Sequence, residues 1–242
     1  MRIARPARLG KGVLMPWGNH RKPVKNETHR TKSLITWAVM TDAIVEQQVT
    51  RMDLGCDNQA AERLSQLITG DPFSMRVLSA VRAMQLPDWA IGAGFVRNIV
   101  WDHLHGFRSR TPLPDIDVLY FDKRVQLPSR DYETERQLKA DFPDLSWSVR
   151  NQARMHLRNG DQPYASTLDA MRYWLEKPTA VAVRLNDAGK LEVLAPFGLG
   201  CLFGMRGEPT PSGLRKYDQY IARMRAKAWS VTWPKVRVQG LG

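Results

Sequence analysis

The stretch WAIGAGFVRNIVWDHLHGFRSRTPLPDIDVLYFD, residues 89–122, decides the fold of this chain. Apolar runs over 89–92 and 116–121 predict two short strands, and between them the apolar positions over 95–105 recur at helical spacing. The glycines near the start of the segment predict a turn, and Gly106 predicts the end of the helix. The segment therefore predicts a strand, a glycine turn, a helix and a second strand, in that order.

Two aspartates stand at the start of the second predicted strand. Asp115 and Asp117 are two residues apart, so their side chains point to the same face of the strand. Buried strands rarely begin with two acids on one face unless something pairs them. Carboxylates suit Mg²⁺ or Mn²⁺, and Mg²⁺ is commonly bound together with substrate phosphate oxygens. We expect Asp115 and Asp117 to be the metal ligands and the catalytic residues.

The turn Gly92–Ala93–Gly94 predicts a phosphate site. The first amides of a helix have no acceptor within it, the helix dipole adds positive potential, and glycine lets a phosphate approach the backbone. Arg97 lies one turn into the helix, where it would add a fixed positive charge, and Asn98 stands beside it. The pattern is not the dinucleotide fingerprint G-x-G-x-x-G, because Arg97 replaces the third glycine. A tight turn without a ligand is the alternative.

The charge of the chain is concentrated at its start. The 242 residues carry a net charge of +12, and residues 1–32 contribute nine basic side chains and one acid. We expect this segment to be a disordered extension, with nucleic-acid binding as the alternative. No stretch approaches the roughly 18 apolar residues of a membrane span, and two cysteines make neither a disulfide framework nor a zinc site. We therefore expect a cytoplasmic protein without a membrane partner.

Helical and strand patterns alternate along the rest of the chain. An N-terminal helical segment is predicted over 33–88, and its last helix starts at Asp71–Pro72, because aspartate caps helices and proline suits their first turn. A mixed α+β domain is predicted over 89–238. The remaining predictions are a helix over 33–49, a helix from Asn58 to Leu67, strands over 145–149, 180–185 and 191–195, and a basic helix over 214–228.

Several motifs, taken together, resemble the bacterial nucleotidyltransferase-like proteins, relatives of the DNA polymerase β-type nucleotidyltransferase superfamily. The resemblance extends over roughly residues 60–238. It implies a small mixed β-sheet of the polymerase β-like type with helices packed on it, an NTP bound through the glycine turn, and transfer of a nucleotidyl group to an acceptor that membership does not fix. The motifs are GAGFVRNIVWDHLHG (92–106), DIDVLYFD (115–122), WSVRNQARMH (147–156), AVAVRL (180–185), APFGL (195–199) and KAWSVTWP (227–234).

The chain departs from the superfamily pattern at three places. Ala93 and Gly94 stand where many such transferases have a serine hydroxyl for phosphate. A third carboxylate is expected near Asn151, which can form hydrogen bonds but carries no charge. Gly200–Cys201 follows APFGL where an acidic pair is expected. These departures leave nucleotide binding intact but weaken the case for catalysis.

The motif WSVRNQARMH contributes three more candidate residues. We predict that Asn151, Arg154 and His156 recognise the nucleotide or its acceptor, and the alternative is a buried polar network that ties a helix to the sheet. The leading hypothesis is a Mg²⁺-dependent enzyme that moves an NMP group from an NTP to an unidentified acceptor. The alternatives are a catalytically weakened nucleotide-binding module of the same fold, and a nucleic-acid-binding protein that uses residues 1–32.

Overall fold

A computed structural model of the chain describes residues 57–125 and 127–241. The predicted basic extension over 1–32 and the predicted helix over 33–49 lie outside the described residues. Within the described ranges, no helix is long and apolar enough to cross a membrane.

Two helices precede the sheet. Helix α1 covers residues 57–69, and α2 covers Pro72–Ala83. Asp71 starts α2 as predicted, because its carboxylate accepts a hydrogen bond from the Ser74 N–H at 2.7 Å. Both helices pack their apolar side chains into the same hydrophobic core as the sheet, including Leu64, Ile68, Val77, Leu78 and Val81.

A five-stranded mixed sheet forms the centre, with the strand order β3–β2–β1–β4–β5. Strand β1 is antiparallel to both of its neighbours, β2 and β4, while β2 and β3 run parallel and β4 and β5 form an antiparallel hairpin. This sheet and its helices confirm the predicted α+β class. The strands are β1 (Ala90–Gly92), β2 (Ile116–Tyr120), β3 (Trp147–Asn151), β4 (Ala182–Leu185) and β5 (Leu191–Leu194).

The helix after the glycine turn agrees with its prediction to within one residue. Helix α3 covers Gly94–His105 and ends at Gly106, whose φ of 69° is the left-handed conformation that glycine adopts without strain. A short parallel pair, β6 (Arg206–Gly207) and β7 (Arg237–Val238), lies in the C-terminal part. The other helices are α4 (Ser129–Asp141), α5 (Gln152–Asn159), α6 (Thr167–Met171), α7 (Gly200–Phe203), α8 (Pro211–Arg215), α9 (Tyr217–Lys227) and α10 (Trp229–Thr232).

Several predicted elements have different bounds in the structure, and two of the differences have a clear physical reason. The strand predicted over 145–149 begins two residues later, because β3 pairs along the whole of β2, from Trp147 opposite Ile116 to Asn151 opposite Tyr120. The basic helix predicted over 214–228 is divided into α8 and α9, since the intervening Lys216 leaves the helical region with ψ at 44°.

Tryptophans attach the C-terminal segment to α3. The ring of Trp101 meets those of Trp229 and Trp233 nearly edge-on, at centroid distances of 5.0 and 5.2 Å. The indole N–H of Trp233 donates to the Asp102 carboxylate at 2.8 Å. These contacts fix the C-terminal helices against the helix that begins at the glycine turn.

Candidate functional site

The turn between β1 and α3 leaves open amides at the start of the helix. Ala93 caps α3 without a side-chain hydrogen bond, and the first helical bond runs from the Arg97 N–H to the Ala93 carbonyl at 3.0 Å. The Ala93 N–H itself donates to the Val181 carbonyl at 3.2 Å. The amides of residues 94–96 therefore precede the first helical hydrogen bond and have no acceptor within α3.

The three residues of the turn have distinct structural roles. A Cβ atom on Gly92 would lie 3.2 Å from both the Ala182 Cβ and the Val181 carbonyl, so the packing of β1 on β4 leaves little room for a side chain there. A Cβ on Gly94 would meet only ordinary contacts, the nearest at 3.5 Å. The strained residue is Ala93, with φ at 55° and ψ at −122°. Sheet packing therefore accounts for Gly92 without a phosphate.

Asp117 lies on the sheet beside this turn. It is in register with Gly92 on antiparallel β1 and with Ser148 on parallel β3, while Asp115 precedes β2 and is exposed. Burial raises the pKa of Asp117, the charge of Asp115 raises it further, and a hydrogen bond with Ser148 opposes the rise. The carboxylates of Asp115 and Asp117 therefore repel each other where Asp117 is partly desolvated. A divalent cation bound between them would remove this repulsion.

Ser148 stands on β3 where a third carboxylate would neighbour Asp117. The region of Asn151 was the expected place, but the parallel register puts Asn151 beside Tyr120, three residues further along. At about 3.3 Å per residue, this separates Asn151 from the level of Asp117 by about 10 Å. Within the described ranges, no group of three or more histidine, cysteine or acidic side chains is arranged to hold a metal ion.

Arg97 is a buried cation that has no carboxylate in direct contact. Its side chain belongs to a residue only 6% exposed, and no ion pair among the described residues includes it. One terminal nitrogen donates to the Thr179 hydroxyl at 3.2 Å, the other to the side-chain Oδ1 of Asn98 at 2.9 Å, and Nε has no hydrogen-bond partner among the described residues. The guanidinium carbon lies 4.8 Å from the centroid of the Trp229 ring and 5.5 Å from that of Trp101.

The surroundings of Arg97 favour an anionic ligand. Burial lowers its pKa to about 10, and the negative charge of Glu176 is the largest effect that opposes this. A Cβ built on Gly94 would lie 3.6 Å from one terminal nitrogen, so the guanidinium sits at the start of α3, close to its open amides. A buried guanidinium beside open helix amides is suited to a phosphate group.

Helix α9 brings two further cations that the sequence analysis missed. The Arg223 Nε donates to the buried Glu176 carboxylate at 2.8 Å. Burial lowers the pKa of Lys227 to about 8, the charges of Arg223 and Arg97 lower it further, and Glu176 and Asp117 oppose them. A signal was present in the sequence, because residues 223 and 227 are four apart and share one face of a helix. Their placement beside Asp117 depends on packing that the pattern does not reveal.

Some of these groups line one pocket of about 430 Å³, a size that suits a small ligand. The lining residues that belong to the site described above are Ala93, Asp117, Thr179, Glu176 and Arg223. The rest of the lining combines polar, charged and aromatic side chains, among them Arg158, Asn159, Asp161, Tyr173, Trp174 and Lys216.

The structure does not bring Asn151, Arg154 and His156 into this pocket. Asn151 is fully buried: its amide nitrogen donates to the Asp122 carbonyl at 2.7 Å, and its oxygen accepts from the Ala153 N–H at 3.1 Å, which caps α5. Arg154 forms an ion pair with a buried aspartate of α4, Asp131. The His156 ring packs against Tyr164 at 5.9 Å. These contacts correspond to the alternative of a buried polar network.

Comparisons with known proteins point to one activity class. A family model described as "Nucleotidyltransferase" matches residues 79–238. The chain is similar to a solved NMR structure described as revealing "a CCA-adding enzyme head domain", with 30% identity and a TM-score of 0.66, over 74% of this chain and 95% of that chain. A structure described as "tRNA-processing enzyme (apo form 2)" is 17% identical over 68% of this chain and 45% of that chain, and its TM-score of 0.43 is too low to bear on fold or function. No curated protein matches the chain.

Proposed function

The chain belongs to the nucleotidyltransferase family, and on that premise we propose that it is a Mg²⁺-dependent enzyme that moves the NMP group of an NTP to an acceptor hydroxyl. The observation that supports this proposal is the convergence of two kinds of charge beside the β1–α3 turn. Asp115 and Asp117 provide adjacent carboxylates. Arg97, Arg223 and Lys227 provide cations that interact electrostatically with the carboxylates of Asp117 and Glu176. Such a pairing suits a metal ion next to a triphosphate.

The two aspartates fit a magnesium ion, or a manganese ion, as a cofactor. Mg²⁺ is commonly held by one or two carboxylates and completes its coordination with water and substrate phosphates, so a third protein carboxylate is not required. The raised pKa of Asp117, caused by burial and by Asp115, marks an unfavourable accumulation of negative charge that a cation would stabilise. A bound ion would supply charge neutralisation for the phosphates and would acidify the acceptor hydroxyl.

The protein groups at the pocket account for binding and for charge stabilisation. In this proposal the amides of residues 94–96 and the Arg97 guanidinium hold the β- and γ-phosphates, and Asn98 orients that guanidinium. Arg223 and Lys227 approach the triphosphate from α9. The acceptor hydroxyl gives up its proton to water, its oxygen forms a bond to the α-phosphorus, the bond from that phosphorus to the bridging oxygen breaks, and pyrophosphate leaves with the electron pair. Preorganised cations stabilise the charge that develops on pyrophosphate.

The proposal is tested by following label from α-labelled NTPs with purified protein, Mg²⁺ and cell extract as the source of acceptors. We expect label to reach an acceptor with wild-type protein and to fail with Asp117→Asn, which keeps the shape of the side chain. Asp144→Asn is the matched control, since this exposed aspartate lies in the loop before β3. Equal transfer by wild-type protein and by Asp117→Asn refutes the assignment.

A second candidate is a nucleotide-binding module of the same fold that does not catalyse transfer. The position of Ser148 favours it, because this neutral side chain is in register with Asp117 where a third carboxylate would strengthen the site. The same label experiment separates the two candidates: NTP binding with no label in any acceptor supports the binding module.

Two further predictions from the sequence stay proposals. Binding of nucleic acid by the basic residues 1–32 predicts that their deletion removes most affinity for RNA or DNA, and unchanged affinity contradicts it. A cytoplasmic location is supported by Cys201, a buried free thiol.

A further inference from the structure

The excess of positive over negative charge in the described part of the chain lies in its C-terminal segment. Residues 57–204 contain 18 basic and 18 acidic side chains, so their net charge is zero. Residues 205–241 contain eight basic and two acidic side chains, a net charge of +6. This C-terminal basic segment comprises β6, α8, α9, α10 and β7.

Most of this charge is available to a partner. The side chains of Arg215, Arg225, Lys235 and Arg237 are exposed, and no ion pair among the described residues includes any of them. One of the two acids of the segment, Glu208, is already engaged by Lys177 and Arg206. The other acid is Asp218, on α9.

The basic segment adjoins the pocket of the proposed reaction. Lys216, Gln219 and Arg223 line the pocket. Gln219 and Arg223 belong to α9, and the same helix contains the exposed Arg225. Tyr217, 40% exposed, lines a shallow depression together with Arg225. The helix that lines the pocket therefore also carries an exposed cation and an aromatic ring, which provide charge for a phosphate backbone and a stacking surface for a base.

We propose that the C-terminal basic segment, 205–241, binds single-stranded nucleic acid and presents its terminal hydroxyl to the pocket as the acceptor. This proposal rests on the proposed function, because nucleotidyl transfer needs a hydroxyl on the bound chain. A polynucleotide supplies both the repeating negative charge and the terminal hydroxyl, whereas an acidic protein segment supplies charge without bases to stack on Tyr217.

The test measures the salt dependence of binding of a short fluorescent single strand to the full chain, with RNA and DNA in separate arms and without NTP. The variant combines Arg215→Gln, Arg225→Gln and Arg237→Gln. If three phosphate contacts are lost, the slope of log affinity against log salt flattens by about 2. The matched control removes three exposed cations elsewhere through Arg136→Gln, Lys139→Gln and Lys190→Gln, and its slope should equal that of the wild type.

Several outcomes overturn the proposal. An unchanged slope in the C-terminal triple variant assigns the affinity to residues 1–32, which all variants retain. Equal flattening in the control triple variant indicates non-specific charge attraction, and competition by polyglutamate as strong as that by the polynucleotide indicates a site for acidic protein.

Transfer of label to the strand tests the proposed function separately from binding of the strand. A strand with a blocked 3′ hydroxyl should bind as well as an open strand but accept no label from α-labelled NTP. Should no strand accept label while the triple variant still flattens the slope, the binding surface stands and the transfer reaction fails. Should open strands accept label equally from the triple variant and the wild type, the surface assignment fails and the reaction stands.

Discussion

Replacing Arg97 by methionine separates a structural role from a ligand-binding role for this buried guanidinium. Methionine keeps an unbranched apolar stem among Trp101 and Trp229 and removes the charge. Burial lowers the pKa of Arg97 to about 10, whereas a free arginine titrates above about 12. At about 1.4 kcal/mol for each tenfold change in proton affinity, keeping this cation charged in the folded protein costs about 3 kcal/mol.

The contacts that Arg97 makes nearly offset that cost. Its contacts with the tryptophan rings are worth about 1 kcal/mol, and its hydrogen bonds to Thr179 and Asn98 are worth about 1 kcal/mol each. We therefore expect Arg97→Met to unfold in urea with a free energy within about 1 kcal/mol of the wild type. Truncation of an ordinary buried side chain costs about 2 to 5 kcal/mol.

Nucleotide binding should respond differently from stability. Loss of a charge-assisted hydrogen bond to phosphate costs about 1.5 to 3 kcal/mol, which weakens the affinity for Mg–NTP about 10- to 100-fold. The assay is the shift of Tm with increasing Mg–NTP. Arg76→Met is the control, since Arg76 is exposed and its guanidinium also lies over an aromatic ring, at 5.4 Å from the centroid of Phe142. Destabilisation of Arg97→Met by more than about 3 kcal/mol, or an unchanged Mg–NTP response, refutes this reasoning.

Three further predictions concern the same site. Burial lowers the pKa of Lys227 to about 8 in the folded protein, below that of a free lysine, so Lys227 makes the free energy of unfolding rise between about pH 8 and pH 10. This rise, measured by urea unfolding, should be smaller in Lys227→Met. A pH dependence identical to that of the wild type contradicts the assignment. Ser148→Asp should lower the Tm in the absence of metal, because it adds a third negative charge beside Asp115 and Asp117, and added Mg²⁺ should restore the Tm. A Tm of this variant that does not change with Mg²⁺ argues against a metal site. Ala93→Gly should stabilise the protein by about 1 kcal/mol, because glycine adopts φ of 55° without strain, and a fall in urea midpoint contradicts that account.

Local features of the site were predictable because they depend on neighbours in sequence. The alternation of strand side chains predicted that Asp115 and Asp117 share one face. The glycine turn and the helical spacing of the apolar residues after it located α3 to within one residue. One local feature was not predictable: the residue of the turn with positive φ is Ala93 and not a flanking glycine. A turn that tolerates strain in alanine has no signature in the sequence.

Long-range features were not predictable, since register and packing join residues far apart in the chain. Whether Ser148 or Asn151 opposes Asp117 depends on the pairing of two parallel strands, which a single sequence does not specify. Arg223 and Lys227 reach the site because the tryptophans after them pack on α3. The pattern of α9 alone predicts only a basic helix.

Parallel reactions with α-labelled and γ-labelled NTP test the central claim most directly. With wild-type protein and Mg²⁺, the account predicts that the α-label becomes attached to an acceptor while the γ-label is released in pyrophosphate, and that Asp117→Asn does neither. Transfer of the γ-label to an acceptor, or release of pyrophosphate at equal rates by wild-type protein and Asp117→Asn, would contradict it.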